Sequence, residues 1–273
     1  MQKGLIFAAI LLAAGAVACG GGGGGSSSTP ASPSPAPPTT PVSAACGAIG
    51  LGVSASTSIV NGVECSTSNS PVVLLNMKDS NGLQIGACTG TVIAPRGILT
   101  AAHCLAAPAA SIKVFLGVGP ELNAVSFAPH PGYNGNAPNF DVGVVLMGAD
   151  IPRAPVPLLL SRDARVGETA VVTGWGKDSI QGVTSTLRAG VATLTVVTSL
   201  TLQTTSTSTF SSVCQGDSGG PILVQEGGVW SIAGVISANA TLACSFGDNF
   251  YANVRNSSIS SFILGAVPDA ARR

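Results

Sequence analysis

The run Cys214-Gln215-Gly216-Asp217-Ser218-Gly219-Gly220-Pro221 surrounds one serine with small residues. A serine hydroxyl is a weak nucleophile until a base takes its proton and donors meet the oxyanion that forms. The glycines leave backbone N–H groups free to face a bound carbonyl, and those of Gly216 and Ser218 form the expected oxyanion-binding pair. The chain has only two histidines. His103 closes the apolar run Ile98-Leu99-Thr100-Ala101-Ala102-His103-Cys104 and is the expected base. Asp141, in Asn139-Phe140-Asp141-Val142-Gly143, stands just before another apolar run and is the expected orienting acid. Together these residues could run acyl transfer through a serine ester, with no cofactor and no metal. Activity should then rise with pH as His103 loses its proton. The second histidine, in His130-Pro131-Gly132-Tyr133, reads as part of a surface loop.

These side chains have to be positioned by strands. Apolar or alternating runs separated by turn residues recur at Val72–Met77, Leu83–Ala94, Ile112–Leu116, Ala124–Ala128, Val142–Met147, Thr169–Thr173, Val191–Val197, Ile222–Val224 and Val229–Ile236. Asn81-Gly82 and Gly227-Gly228 mark tight hairpins. A helical period emerges only at Ser257–Leu264, near the end of the chain. Many short strands and one short helix predict an all-β barrel or sandwich. Of the 273 residues, 45% are hydrophobic and 9% charged, with a net charge of zero. Such a surface offers no basic stripe for nucleic acid.

His103, Asp141 and Ser218 follow one another in that chain order, within a series of further motifs. Ile59-Val60-Asn61-Gly62 comes first, then Thr100 to Cys104, His130-Pro131-Gly132-Tyr133, Val172-Thr173-Gly174-Trp175-Gly176, the serine run, and Phe250-Tyr251-Ala252-Asn253-Val254. From Ile59 to about Val267 the chain resembles the trypsin/chymotrypsin-like serine peptidases. The resemblance implies two six-stranded antiparallel β-barrels with the active site in the cleft between them. His103 and Asp141 would come from the first barrel and Ser218 from the second. It implies an endopeptidase that works through an acyl-enzyme at Ser218. A cut before Ile59 would free an amine to pair with Asp217 and order the oxyanion site. Thr57-Ser58 precedes that bond where many relatives carry a basic residue, so a trypsin-like activator is not expected.

The same resemblance puts Ser212 and Val213 at the base of the substrate pocket, and Ser237, Ala238, Asn239 and Asn249 along its wall. No carboxylate stands among them, and two asparagines replace the usual glycines. An elastase-like preference for small uncharged side chains follows, with Ser237 receiving the substrate backbone as an added strand. Disulfides Cys88–Cys104 and Cys214–Cys244 are implied as well, which leaves Cys46 and Cys65 for each other. A metal site is not expected, since no CxxC spacing occurs. A catalytically silent binding protein and a permanently inactive zymogen are the rivals on this fold, and the intact triad speaks against the first.

Residues 1–18 read as a signal peptide, with Lys3 ahead of an apolar stretch too short to span a membrane. Ala16-Val17-Ala18-Cys19 fits either an ordinary cleavage site or a bacterial lipobox that would leave Cys19 lipidated. The lipobox is favoured, because residues 19–45 are rich in Gly, Ser and Pro and suit a tether. Residues 46–58 would form a pro-piece, 59–267 the catalytic domain and 268–273 a tail. The expected product is an exported monomer acting on polypeptides, either anchored to a bacterial membrane or secreted.

Overall fold

The computed structural model describes residues 45–51, 53–55, 62–106, 109–177, 186–207, 210–241, 244 and 246–273. The expected signal peptide, Cys19, most of the tether, and Ile59 lie outside the described residues. Two short strands, β1 (Val53–Ala55) and β2 (Val63–Cys65), lead into the first barrel. That barrel comprises β3 (Val72–Lys78), β4 (Gln84–Ala94), β5 (Gly97–Thr100), β6 (Ser111–Phe115), β7 (Leu122–Pro129) and β8 (Gly143–Met147). It closes in the order β3-β4-β5-β8-β7-β6. The apolar runs of β3, β4 and β5 fill its interior, with Leu75, Ile93, Ile98 and Leu99 fully buried.

The second barrel is built from β9 (Thr169–Gly174), β10 (Arg188–Val197), β11 (Thr201–Ser206), β12 (Pro221–Glu226), β13 (Val229–Asn239) and β14 (Gly247–Asn253). Its strands run β10-β11-β14-β13-β12-β9, and β9 pairs back to β10, closing six antiparallel strands. Strand β2 adds to β10 outside the ring, through Arg188 opposite Glu64. Both expected hairpins are present: Gly82 (φ 79°) turns β3 into β4, and Gly227 and Gly228 (φ 55° and 81°) turn β12 into β13. The two-barrel prediction is therefore met.

Trp175 ties the barrels together. It follows β9 of the second barrel, yet its indole N–H donates to Val72 O of the first at 3.1 Å and its ring packs edge-on to Phe115. Helices α1 (Ala102–Leu105) and α2 (Ser257–Ala266) accompany the barrels. Asn256 caps α2 by accepting from Ser258 N and Ile259 N, while Ile259 and Ile263 bury its inner face. Residues beyond α2 pack back onto the second barrel's lead-in, where Leu158 N donates to Ala271 O and Arg273 N to Leu158 O. Disulfides join Cys46 to Cys65, Cys88 to Cys104, and Cys214 to Cys244. Among the described residues, no helix is long and apolar enough to cross a membrane.

Candidate active site

Strand β5 is buried along its whole length and feeds directly into α1, which lifts His103 to the barrel's rim. The imidazole is about one-third exposed, whereas Asp141 is completely buried. Asp141 stands one residue ahead of Val142 and β8, next to Phe140, which takes a left-handed conformation (φ 55°). Asp141 Oδ1 accepts from the His103 backbone N–H at 2.9 Å. Its Oδ2 meets His103 Nδ1 at 2.7 Å and accepts from Ser237 Oγ at 2.5 Å. A carboxylate cannot donate, so Nδ1 carries the ring proton and Nε2 remains the basic nitrogen.

Ser218 sits on the loop ahead of β12. Its carbonyl accepts from Thr89 N at 2.8 Å, which docks the second barrel's loop on the first barrel beside the Cys88–Cys104 bridge. Gly219 N donates to Ile236 O and Gly220 N to Asp217 O, yet among the described residues the N–H groups of Gly216 and Ser218 meet no acceptor. Gly219 has to be glycine. At φ 85°, a Cβ there would lie 2.1 Å from Thr100 Oγ1 and 2.2 Å from Thr89 O. No hydrogen bond joins Ser218 Oγ to His103 Nε2 among the described residues. Such contacts commonly tighten only around substrate.

Asp217, the neighbour of the serine, is buried, and its oxygens accept from Gly176 N and Cys214 N, each at 2.8 Å. Burial pushes its carboxyl up to about 6, against the pull of those two N–H groups and of the Arg188 charge. The buried Arg188 donates to Gly176 O and to Glu64 Oε1, each at 3.3 Å. Gly176 lies so close that a Cβ would stand 2.5 Å from Asp217 Cγ.

Beside Ser218 opens a cavity of about 120 Å³, lined by Val213, Cys214, Gln215, Ile236, Ser237, Ala238, Asn239, Thr241 and Cys244. Ser212 and Asn249 lie buried behind this lining rather than in it. Asn249 Oδ1 accepts from Asn239 Nδ2 at 2.7 Å, from Ser212 Oγ at 3.2 Å and from Val213 N at 3.3 Å. Asn249 Nδ2 in turn donates to Thr204 Oγ1, which is bonded to Tyr251 OH. Asn239 Oδ1 accepts from Thr241 N and Thr241 Oγ1. The pocket thus rests on a neutral, mutually satisfied polar network.

The Trypsin family model matches residues 59–263. The chain belongs to the trypsin family. Kallikrein-11 of Homo sapiens is 30% identical over 211 residues, which cover 68% of this chain and 72% of that protein. Trypsin of Saccharopolyspora erythraea is 31% identical over 162 residues, 51% of this chain and 71% of its own. Chymotrypsin of Phaedon cochleariae is 30% identical over 202 residues, 64% and 72% respectively. As a trypsin-family chain this is a serine peptidase, and its substrates are polypeptides. Its three disulfides suit an oxidising, extracytoplasmic compartment.

Within the trypsin-family frame, the structure brings His103 and Asp141 into direct contact and sets Ser218 at the edge of the pocket. Cys88, His103 and Cys104 place their ligand atoms within 4.8 Å of one another, but both sulfurs are committed to a disulfide and cannot serve as thiolate ligands. His130 departs from its surface-loop expectation. It is buried, stacked on Phe140 at 5.1 Å and edge-on to Phe262 at 4.9 Å, because α2 returns over it. Its Nδ1 accepts from Gly132 N and its Nε2 faces Ser258 Oγ. Sequence reasoning missed the Ser237 hydroxyl on Asp141, the buried Arg188, and Thr89. Arg188 alone had a signal, a charge set in the apolar run that becomes β10.

Proposed function

We propose that this serine peptidase is an endopeptidase using His103, Asp141 and Ser218 as its triad, with a preference for small uncharged side chains before the cleaved bond. The Asp141 carboxylate carries the proposal: buried, it fixes His103 through both the backbone N–H and Nδ1. His103 Nε2 takes the proton of Ser218 Oγ as that oxygen attacks the substrate carbonyl. The N–H groups of Gly216 and Ser218 receive the oxyanion of the tetrahedral adduct. Collapse breaks the C–N bond, and Nε2 returns its proton to the departing amine. Water then repeats the sequence on the acyl-enzyme, releasing the acid and restoring Ser218. Asp141 stays ionised and balances the imidazolium.

The preference for small side chains is supported by the 120 Å³ cavity and its neutral Asn239–Asn249 floor. A Lys or Arg side chain would find no carboxylate among the lining residues. Ser237, at the pocket's wall, would also align the substrate strand. Activation is assigned to a cut before Ile59, whose amine would pair with Asp217. Since Ser58 is itself small, the enzyme could make that cut itself. A lipid on Cys19, left as the N-terminus when the leader is removed, is proposed to hold the protein at a bacterial membrane through the tether.

A peptide library offered to the processed enzyme, together with a fluorophosphonate probe, tests the reading. Labelling confined to Ser218, lost in Ser218→Ala and His103→Ala, and cleavage after Ala, Ser, Thr or Val are expected. Absence of labelling in the processed wild type would establish a silent or permanently latent fold instead, and cleavage after Lys or Arg would overturn the pocket assignment.

A further inference from the structure

Four consecutive carbonyls of the serine loop are held in place, and two of them, Gln215 O and Asp217 O, share their peptide planes with the Gly216 and Ser218 N–H groups that meet no acceptor among the described residues. Gln215 O accepts from Lys177 N at 2.9 Å, Asp217 O from Gly220 N at 2.9 Å and Ser218 O from Thr89 N at 2.8 Å. All three are backbone bonds, which nearly any sequence could make. The fourth is different. Gly216 O accepts from a side chain, Thr89 Oγ1, at 2.7 Å. That hydroxyl has spent its one proton on Gly216, and with a lone pair it accepts from Trp175 N at 3.0 Å. Thr89 is fully buried, and its own carbonyl accepts from Thr100 Oγ1 at 2.8 Å.

We propose that Thr89 is the positioning residue of the oxyanion site: from β4 of the first barrel, it holds the Gly216 peptide in place for the Ser218 nucleophile. This rests on the triad and oxyanion roles proposed above. The sequence encodes this clamp only here. Gly216 sits at φ 96°, a conformation glycine enters and leaves at little cost, so the loop does not hold itself. Remove the hydroxyl and the half-buried Gly216 carbonyl and the Trp175 N–H both lose this partner. The Gly216–Asp217 plane that Thr89 holds lies between the plane of the Gly216 N–H, shared with Gln215 O, and the plane of the Ser218 N–H, shared with Asp217 O. Once it is free to rotate, the angle between the two outer planes is no longer fixed, and the two N–H groups cease to converge where substrate charge develops. The link also runs from barrel to barrel, since Trp175 and Gly216 belong to the second and Thr89 to the first. Thr89 touches neither substrate nor reacting atoms, so it acts through Gly216.

The test uses the processed chain carrying Thr89→Val, which keeps the shape and deletes the hydroxyl, and Thr89→Ser, which keeps the hydroxyl. Thr89→Val should lower kcat about 10- to 100-fold, part of what deleting a whole oxyanion donor costs. KM should stay within about threefold. The Ki of a peptide aldehyde, whose adduct carries the oxyanion, should weaken by the same factor as kcat. Thr89→Ser should recover most of both. Ser231→Ala is the control: this buried residue's hydroxyl serves Val229 O in β13, outside the chain of bonds that runs through Trp175 and Thr89, so kcat should hold. Equal losses in Ser231→Ala, no rescue by Ser, or a loss confined to KM would each overturn the proposal. Amide hydrogen exchange at Trp175, whose N–H ends on the same hydroxyl, and at Lys177, whose N–H holds Gln215 O, gives in a Ser218→Ala background a readout that needs no catalysis. Exchange there should quicken at least tenfold in Thr89→Val and not in Thr89→Ser. Unchanged exchange overturns the clamp whatever the activity, whereas an unlabelled Ser218 in the wild type with altered exchange overturns only the peptidase mechanism.

Discussion

Asp217 offers the sharpest prediction, because a buried acid with no cut amine beside it must make folding depend on pH. In the unprocessed chain, burial pushes its carboxyl up to about 6, against about 3.9 for an aspartate in an unfolded chain. A folded pKa above the unfolded one means that the folded chain holds the extra proton. Stability is therefore lost as pH rises from about 4 toward 7. With about 1.36 kcal/mol for each unit of difference, the loss over that interval is about 2 kcal/mol. Asp217→Asn cannot titrate. It keeps one acceptor for Gly176 N or Cys214 N and turns an NH2 toward the other, a cost of about 1–3 kcal/mol that does not vary with pH. Urea unfolding of the unprocessed chain, in a Ser218→Ala background that prevents self-digestion, measures the difference between the two proteins. The wild type should lose about 2 kcal/mol relative to Asp217→Asn between pH 4 and 7. After processing before Ile59, the new amine should pull the Asp217 pKa down, and that relative loss should vanish or reverse. Parallel stability profiles in the unprocessed chain would refute the reasoning about burial.

Three further outcomes follow from the geometry. Asn249→Gly removes, from behind the pocket, the acceptor that holds Asn239, Ser212 and Val213 in place. Library cleavage should shift toward larger apolar side chains by about tenfold in kcat/KM, and an unchanged profile would discredit the polar floor. Ser237→Ala deletes a donor to Asp141 Oδ2, so kcat should fall about tenfold in steady-state assays while the thermal midpoint moves by only a few degrees. Gly219→Ala would drive a Cβ against Thr100 and Thr89 at a positive φ, and it should cost more than about 2 kcal/mol in denaturant unfolding and abolish phosphonate labelling.

Much of the fold was legible wherever the inward face of a strand is aliphatic, as in β3, β4 and β8. Strand β11 was not. Its buried positions are Leu202, Thr204 and Ser206, and a strand whose interior is two-thirds hydroxyl shows no hydrophobic alternation. Those hydroxyls are buried safely because Thr204 meets Tyr251 OH and Ser206 donates to Gly247 O. Strand β14 hides in the same way behind Asn249 and Asn253. In the site, His103, Asp141 and Ser218 stood out because few residue types can do that chemistry and the chain holds only two histidines. Thr89 did not stand out in a chain full of threonine. Its partner Gly216 is 127 residues away, a pairing only the closed barrels reveal. The burial of His130 was equally hidden, since Phe262 reaches it from the far end of the chain.

The Cys46–Cys65 disulfide spans a stretch that includes the Ser58–Ile59 bond. Cutting inside a cross-linked loop yields two chains that remain one molecule. A maturation cut there would therefore change the enzyme's chemistry without changing its address. Residues 19–45, with Cys19 at their head, would stay attached through Cys46 to the catalytic body. Location would then answer to the redox state of a single bond, and activity to the hydrolysis of another, so that the two could be set independently.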